Sequence, residues 1–388
     1  MVCGFGILQG ILMAGLVYFH PKSDRSVNSF LSLYIFITSA VMALPFALEV
    51  IGWQKSYFIM PLPMLAGPIL YFYIRSFKEK ITWQKMWPHF IAFFVFLFLV
   101  HKNITYFSAQ YPNADRVPQE VLSSPTTIAL QLSRLIQQLI YFVLTRKALL
   151  SYQRSIQHLF SETSRMDLRW GKFLVNGYLL LISSFVIIFP LMLRFHEYFN
   201  ELLLLNMVLG TVYIYFATYK GAMQHTIWQV QPGISRELVQ EEIIEVEEIK
   251  PIVAITAKQK ITKPGLSADK IEDLADRIVD LMETDKLYQE TELTLQQLAG
   301  KLQVPTYQVS QSLNEGLKKN FYDLVNGYRV EEAKRLLQDV RNRNYTILSV
   351  GFEAGFNSKT TFNTVFKKFT GFTPTEFRDK QKLIAIPA

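Results

Sequence analysis

The strongest constraint on this chain is the uneven placement of its apolar residues. From Met1 to about Met223 the sequence is dominated by apolar runs of 16 to 23 residues; from Gln224 onward polar and charged residues return. Over the 388 residues, charged side chains make up 19%, below the roughly 25% of soluble domains. A spanning helix needs about 17–25 mainly apolar residues, because lipid cannot satisfy backbone polar groups. The first part therefore reads as a membrane bundle and the last as a separate domain.

Spans are expected near Val2–Phe19, Asn28–Ile51, Tyr57–Phe77, Trp87–Val100, Ile128–Thr145, Phe173–Phe195 and Leu202–Tyr219. Basic residues set the orientation, since they are retained on the cytoplasmic side. Alternate connections hold 13 of them, among them Lys22, Arg75, Lys85, Arg146, Arg154 and Lys220, against 4 in the others, Lys55, Lys102, Arg116 and Arg194. This distribution puts the N-terminus outside and the C-terminal region in the cytoplasm. No basic segment precedes the first apolar run, so a retained helix is expected and not a cleaved signal. The single cysteine, Cys3, excludes an internal disulfide framework and a Cys-rich metal site.

Within the spans, Gln131, Arg134 and Gln138 recur at helical spacing, with Gln137 beside them. Charge in a bilayer is costly and usually faces a bundle interior or a wet cavity. Glu49 lies at a compatible depth to pair with Arg134. Two readings stay open: a signal site formed by Glu49, Gln131, Arg134 and Gln138, or a structural ion pair or snorkelling arginine. Pro61, Pro63, Gly67 and Pro68 forbid an unbroken helix in the outer half of the third span. No metal-ligand spacing, acidic dyad or nucleophile–base pair occurs on the spans. Neither a cofactor nor an enzymatic activity is expected.

Residues 224–268 have their own composition. Glu237, Glu241, Glu242, Glu245, Glu247 and Glu248 are broken by Ile243, Ile244 and Val246, and Pro251 and Pro264-Gly265 follow. Such a segment suits an extended tether; the alternative is a dimerising helix or strand. Beyond it, Ile271, Leu274, Ile278 and Leu281 repeat at helical spacing.

Residues 292–380 contain two similar arrangements. Thr294-x-x-Gln297 is a capping box ahead of Leu295, Leu298, Ala299 and Leu302, and Gln303-Val304-Pro305 breaks the helix. In the helix that follows, Val309, Leu313 and Leu317 are expected inside, opposite a polar face of Tyr307, Gln308, Ser310, Gln311 and Asn314. Uncharged amides and hydroxyls of this kind suit base edges, which both donate and accept. After a long helix near Phe321–Gln338, Thr346 caps a helix with Ile347, Val350 and Ala354, and Gly355 provides a turn. A last aromatic helix has Phe362, Val365, Phe366 and Phe369 inside and Lys359, Thr360, Asn363 and Thr364 outside. Thr373-Pro374-Thr375-Glu376 is another capping box.

Gly355-Phe356, Phe366-Lys367-Lys368, Gly371-Phe372-Thr373-Pro374 and Glu376-Phe377-Arg378, with the central Tyr328–Leu337 helix, resemble the AraC/XylS family of bacterial transcription activators. The resemblance covers about 100 residues, a quarter of the chain. Pro61–Pro68 (Pro-Leu-Pro-x-Leu-x-Gly-Pro) is similar to multi-span AraC-type regulators of Bacteroidetes-like bacteria. The implied fold is all-α: a seven-span bundle at 1–223, an acidic linker at 224–268, and a cytoplasmic domain at 269–388 of two helix-turn-helix units joined by a long helix. The implied function is a membrane-bound transcription regulator. A transporter-like or enzymatic bundle fused to a DNA-binding reporter is the competing reading, and proteolytic release of the soluble domain is a third.

The resemblance implies two recognition helices in successive major grooves, about 34 Å apart. Tyr307, Ser310, Gln311, Lys359, Thr360, Asn363 and Thr364 would face bases, while Lys318, Lys319, Lys367 and Lys368 would contact phosphates. The expected partners are double-stranded DNA, membrane lipid, RNA polymerase, an unidentified small-molecule or membrane signal, and a second copy of the chain. Four positions depart from the family pattern. Pro305 replaces a serine cap, so capping should pass to Thr306. Gln303 replaces a turn glycine and Gly351 a helix alanine, each at about 1 kcal/mol. Thr364 stands where some members have arginine.

Overall fold

The structure, a computed structural model, describes residues 2–19, 25–161, 169–222, 266–342 and 344–384. The acidic linker expected at 224–268 lies almost wholly outside the described residues. The described residues form no strand; the one extended pairing is an isolated antiparallel bridge between Phe160 and Thr294. Two compact units result, Met1–Tyr152 with Leu168–Arg236, and Gln153–Asp167 with Glu237–Ala388.

The first unit comprises α1 (Val2–Phe19), α2 (Arg25–Val41), α3 (Leu44–Val50), α4 (Pro63–Arg75), α5 (Ile91–Gln110), most of α6 (Pro125–Leu159), α7 (Arg169–Arg194) and α8 (Phe199–Ala222). Among the described residues, five helical segments are long and apolar enough to cross a membrane, or six if α2 and α3 are one bent span. The remaining helix is apolar over Gly4–Phe19, shorter than the spans. The expected count of seven is therefore not reproduced on length.

The 41° bend between α2 and α3 has a local cause. Pro45 cannot donate to the carbonyl one turn earlier, and the chain substitutes the tight Met42 N–H to Ser39 and Ala43 N–H to Ala40 bonds, each 3.1 Å. Proline also shapes the third span, where a short 3₁₀ turn, Ser56–Phe58, precedes α4 and Pro63 occupies its first turn. The core of this unit joins Leu31, Tyr34, Leu70, Ile74, Leu174 and Ile214. Two of its buried hydroxyls are paired, Tyr34 with Tyr213 at 3.2 Å and Tyr73 accepting from the Trp170 indole at 3.2 Å, while the Tyr178 hydroxyl has no partner among the described residues. Outward the unit presents Leu12, Phe94, Ile136, Ile187 and Leu205, far more exposed apolar surface than soluble monomers carry.

Helix α6 runs 35 residues, well past the expected end at Thr145. The apolar run stops near Leu144, but Leu149, Ile156 and Leu159 keep a buried stripe going through the charged stretch. From Gln153 the helix groups with the second unit.

The second unit holds α9 (Ala268–Glu283), α10 (Leu295–Leu302), α11 (Thr306–Gln311), α12 (Phe321–Gln338), α13 (Ile347–Glu353), α14 (Lys359–Thr370) and α15 (Pro374–Ile384). It has two cores. Ile278, Met282, Leu298 and Val309 meet Phe321, Leu324 and Val325 of α12 in the first. Val350, Phe356, Phe362 and Phe366 meet Val330, Ala333 and Leu336 of the same helix in the second. Helix α12 is thus a shared wall, and its own Arg329 is fully buried. The Arg329 guanidinium donates from Nε to Tyr288 O at 2.7 Å and from Nη2 to Glu290 O at 2.7 Å.

The caps match the capping signals in the sequence. Thr294 and Gln297 form a reciprocal capping box, Thr346 caps α13 and Ser358 caps α14. Helix α11 differs from expectation, because Pro305 is its N-cap and no side chain caps it; Thr306 is already inside the helix. Gln303 adopts the left-handed conformation with φ 58°, which explains the glycine usual there. Phe369, expected inside, is 40% exposed, because α14 turns it past the edge of α12.

Gly351 finds its reason in packing. A Cβ there would lie 2.7 Å from Phe362 Cδ1, and that ring is fully buried. We expect Gly351→Ala to destabilise the protein by about 1–3 kcal/mol through overpacking, despite the better helix propensity of alanine. Arg329→Met should lower stability by about 3 kcal/mol, since buried carbonyls lose a charged donor. Denaturant unfolding of each variant checks both.

Candidate nucleic-acid interface

Two helix-turn-helix units are built on α12. In the first, α10 and α11 meet at the Gln303–Pro305 turn; in the second, α13 and α14 meet at Gly355. Gly355 has φ +94°, and a Cβ there would press 2.6 Å from Tyr288 O. The turn of the second unit therefore lies directly against the 287–289 segment that precedes the first. This contact and Arg329 fix the two units relative to each other through backbone atoms.

Helix α14 presents Lys359, Thr360 and Thr364 to solvent, with Asn363 half-buried on the same side. The opposite face is the Phe362, Val365 and Phe366 core. All four residues named for base contact on this helix are thus brought to one open surface.

Helix α11 is different. Tyr307 is half-buried, but Ser310 is 2% exposed and Gln311 9% exposed. Gln311 Oε1 accepts from the Leu266 backbone N–H at 3.3 Å, and its amide nitrogen donates to Glu315 at 3.3 Å. Leu266, just before α9, packs against the first core. In this arrangement Ser310 and Gln311 are therefore covered and are not presented with Tyr307. The helix ends in a π-turn, Ser312–Gly316, where Gly316 lies close against Ala275 and Ile271 of α9.

The four lysines divide as well. Lys318, in a left-handed turn at φ 55°, and Lys319 are exposed. Lys367 is exposed near the end of α14. Lys368 is held by Asp323 at 2.7 Å and lies over the Tyr322 and Phe369 rings. It is committed to α12. Helix α15, beside α14, starts at a reciprocal cap in which the Thr373 N–H donates to Glu376 at 2.7 Å. The Thr373 backbone and hydroxyl bonds hold the Glu376 carboxyl below the ordinary carboxylate range.

The end of α6 lies beyond anything its apolar run marks. Leu159 is buried in the first core, Phe160 bridges to Thr294, and Ser161 donates from N and Oγ to Leu293 O at 3.3 and 2.7 Å. Asn326 of α12 donates to Ser161 O at 2.9 Å. Arg329 Nη2 reaches Ser161 Oγ at 3.4 Å. A signal was present in α12: Arg329 and Asn326 fall on its apolar stripe with Tyr322, Val325, Ala333 and Leu336, where a surface helix would carry no arginine.

In the first unit, Gln131, Arg134 and Gln138 line one cavity. Glu49 is exposed and does not line it. The expected Glu49–Arg134 pair is not formed, since α3 turns Glu49 outward beyond the bend. No group of His, Cys, Asp or Glu among the described residues could hold a metal ion.

Residues 298–380 match the family model of a helix-turn-helix domain. The C-terminal part of this chain is a helix-turn-helix domain of AraC type. Over 119 residues, 31% of this chain, it is 28% identical to an uncharacterized HTH-type transcriptional regulator of Staphylococcus aureus (strain COL). The match spans 15% of that relative's length. No solved structure matches.

If Gln311 serves the fold, Gln311→Leu should free the Leu266 amide. Hydrogen exchange at that amide is expected to rise about tenfold, while exchange in α14 stays unchanged.

Proposed function

We propose that this chain is a membrane-bound, sequence-specific DNA-binding transcription regulator, a one-component transducer with a sensor bundle at 1–223 and a DNA-binding domain at 269–388. The observation that carries this reading is the pair of helix-turn-helix units on one rigid helix, with Lys359, Thr360, Asn363 and Thr364 on an open face. Base edges are read by such lysine, amide and hydroxyl groups, and phosphates by exposed lysines. Lys318, Lys319 and Lys367 are the free phosphate ligands in this reading. Lys368 contributes after leaving Asp323. Tyr307 reaches the first groove, and Gln311 joins it once Leu266 moves aside, with Ser310 beside it.

The apolar outward surface and the placement of basic residues support a multi-pass bundle in a bacterial inner membrane, N-terminus outside. Double-stranded DNA, lipid, RNA polymerase and a second copy of the chain are the proposed partners. Signal reaches the DNA-binding domain through α6 as well as through the linker. The chain just past the end of that helix is fastened to Asn326 and Arg329 through Ser161.

The test uses the full chain in lipid nanodiscs and duplexes selected from a random library. Lys359→Ala and Asn363→Ala should each weaken the selected site about tenfold and relax its sequence. Lys367→Ala should weaken all duplexes alike and reduce the salt slope by about one. Absence of any selected sequence at low salt sinks the reading. For the coupling, two alanines inserted after Tyr152 turn the helix end by about 200°, four by about 400°. The two-residue insertion should change DNA affinity at least threefold and the four-residue one much less; equal affinities would exclude α6 as the route.

A further inference from the structure

Arg134 is 8% exposed. Among the described residues it makes no ion pair, and its Nε is buried without a hydrogen-bond partner. Its contact is the ring of Phe185, 4.0 Å below the guanidinium. The side chain lines a cavity of about 210 Å³, larger than the ~150 Å³ cavity that accepts benzene. The walls are apolar, with Met42, Phe96, Ile182, Phe189 and Met207 among them. Among its described lining residues no acid appears, and Arg134 is the sole charge.

Burying a cation without a counter-charge costs several kcal/mol, and intramembrane ionisable residues are kept where they bind or move something. A guanidinium matches a carboxylate in a two-bond fork. One positive charge in an otherwise neutral pocket balances one negative charge; a dianion would leave an excess. The amides of Gln131 and Gln138 flank Arg134 and can supply further N–H donors, Gln138 Nε2 also donating to Pro63 O at 3.4 Å. The cavity also touches Trp53, Ile59, Val117 and Leu122. These lie in or beside connections poor in basic residues, which the positive-inside rule puts outside.

We propose that this cavity binds a monocarboxylate with an apolar body larger than a benzene ring, its head on Arg134 and its body against Phe96, Phe189 and Met207. A fatty acid arriving through the bilayer and an aryl carboxylate arriving from water share this chemistry. That the ligand is the signal rests on the regulator reading above; the binding itself does not.

The full chain in phosphatidylcholine nanodiscs is titrated with decanoate, phenylbutyrate, decanol and decylammonium, without DNA. At least one carboxylate should bind ten times more tightly than the alcohol or the amine; decanoate alone points to the bilayer route, phenylbutyrate alone to water. Arg134→Gln should weaken that carboxylate at least tenfold and leave decanol unchanged, with Arg134→Lys between them. Binding of neither carboxylate more tightly than decanol, no carboxylate binding in the millimolar range, or an unaffected Arg134→Gln would each overturn the site. If Arg134→Gln does not fold, the comparison of head groups on the unaltered protein decides. Carboxylate binding by a chain that selects no DNA would keep the site and discard the regulator.

Discussion

Arg329 is the interaction on which the second unit depends. An arginine fully inside a protein must spend its donors on fixed acceptors, because an unpaired buried charge is among the most unfavourable things a fold can contain. Here the acceptors are backbone carbonyls of Tyr288, Glu290 and Thr291, the Asn326 amide oxygen and the Ser161 hydroxyl. Backbone acceptors cannot turn away as side chains can, so the arginine fixes main chain. It joins α12, the segment before α10, and the end of α6 at a single point. Gly355 closes the same point from the other side, its bare Cα letting the second turn lie on Tyr288 O.

That arrangement gives the two cores a common wall and very little independent freedom. A rigid spacing between recognition helices is what a two-groove reader needs, since base contacts in one groove then fix the register of the next. The same rigidity makes the unit responsive to whatever is fastened to it. The Leu159–Ser161 segment is fastened to it by main-chain bonds and a buried leucine, as is Leu266 by its N–H on Gln311. The first attachment reaches the segment before α10 and α12, and the second reaches Gln311 of α11. The two helix-turn-helix units are therefore differently disposed, the outer face of α14 open and that of α11 partly covered.

Much of this was legible in the residues. Capping boxes at Thr294 and Thr373, the Thr346 cap, the turn at Gly355 and the bounds of α12 follow from local chemistry, which acts within a few residues and leaves its mark there. The apolar runs marked most of the bundle helices for the same reason. Less visible were features in which two signals compete. Helix α6 outlasts its apolar run because a helix ends where hydrogen bonding and packing end, not where hydropathy falls. Gly351 looks like a helix-propensity fault until Phe362 is placed beside it. Thr306 has the right chemistry for a cap but sits one residue too late, Pro305 having taken the position.

By itself, the sequence determined the division into an apolar and a polar part, the sense of the basic-residue distribution, and the two repeated helix–turn–helix patterns with their terminators. Each is a property of one segment and its immediate neighbours. Which polar residues face outward was decided by tertiary structure alone. Ser310 and Lys359 have equally polar surroundings in the chain, yet one is covered and the other open. Glu49 and Arg134 have opposite charges at similar depth, yet a bend at Pro45 separates them. Solvent exposure and charge pairing depend on what packs against a side chain from far along the sequence, and no periodicity encodes that.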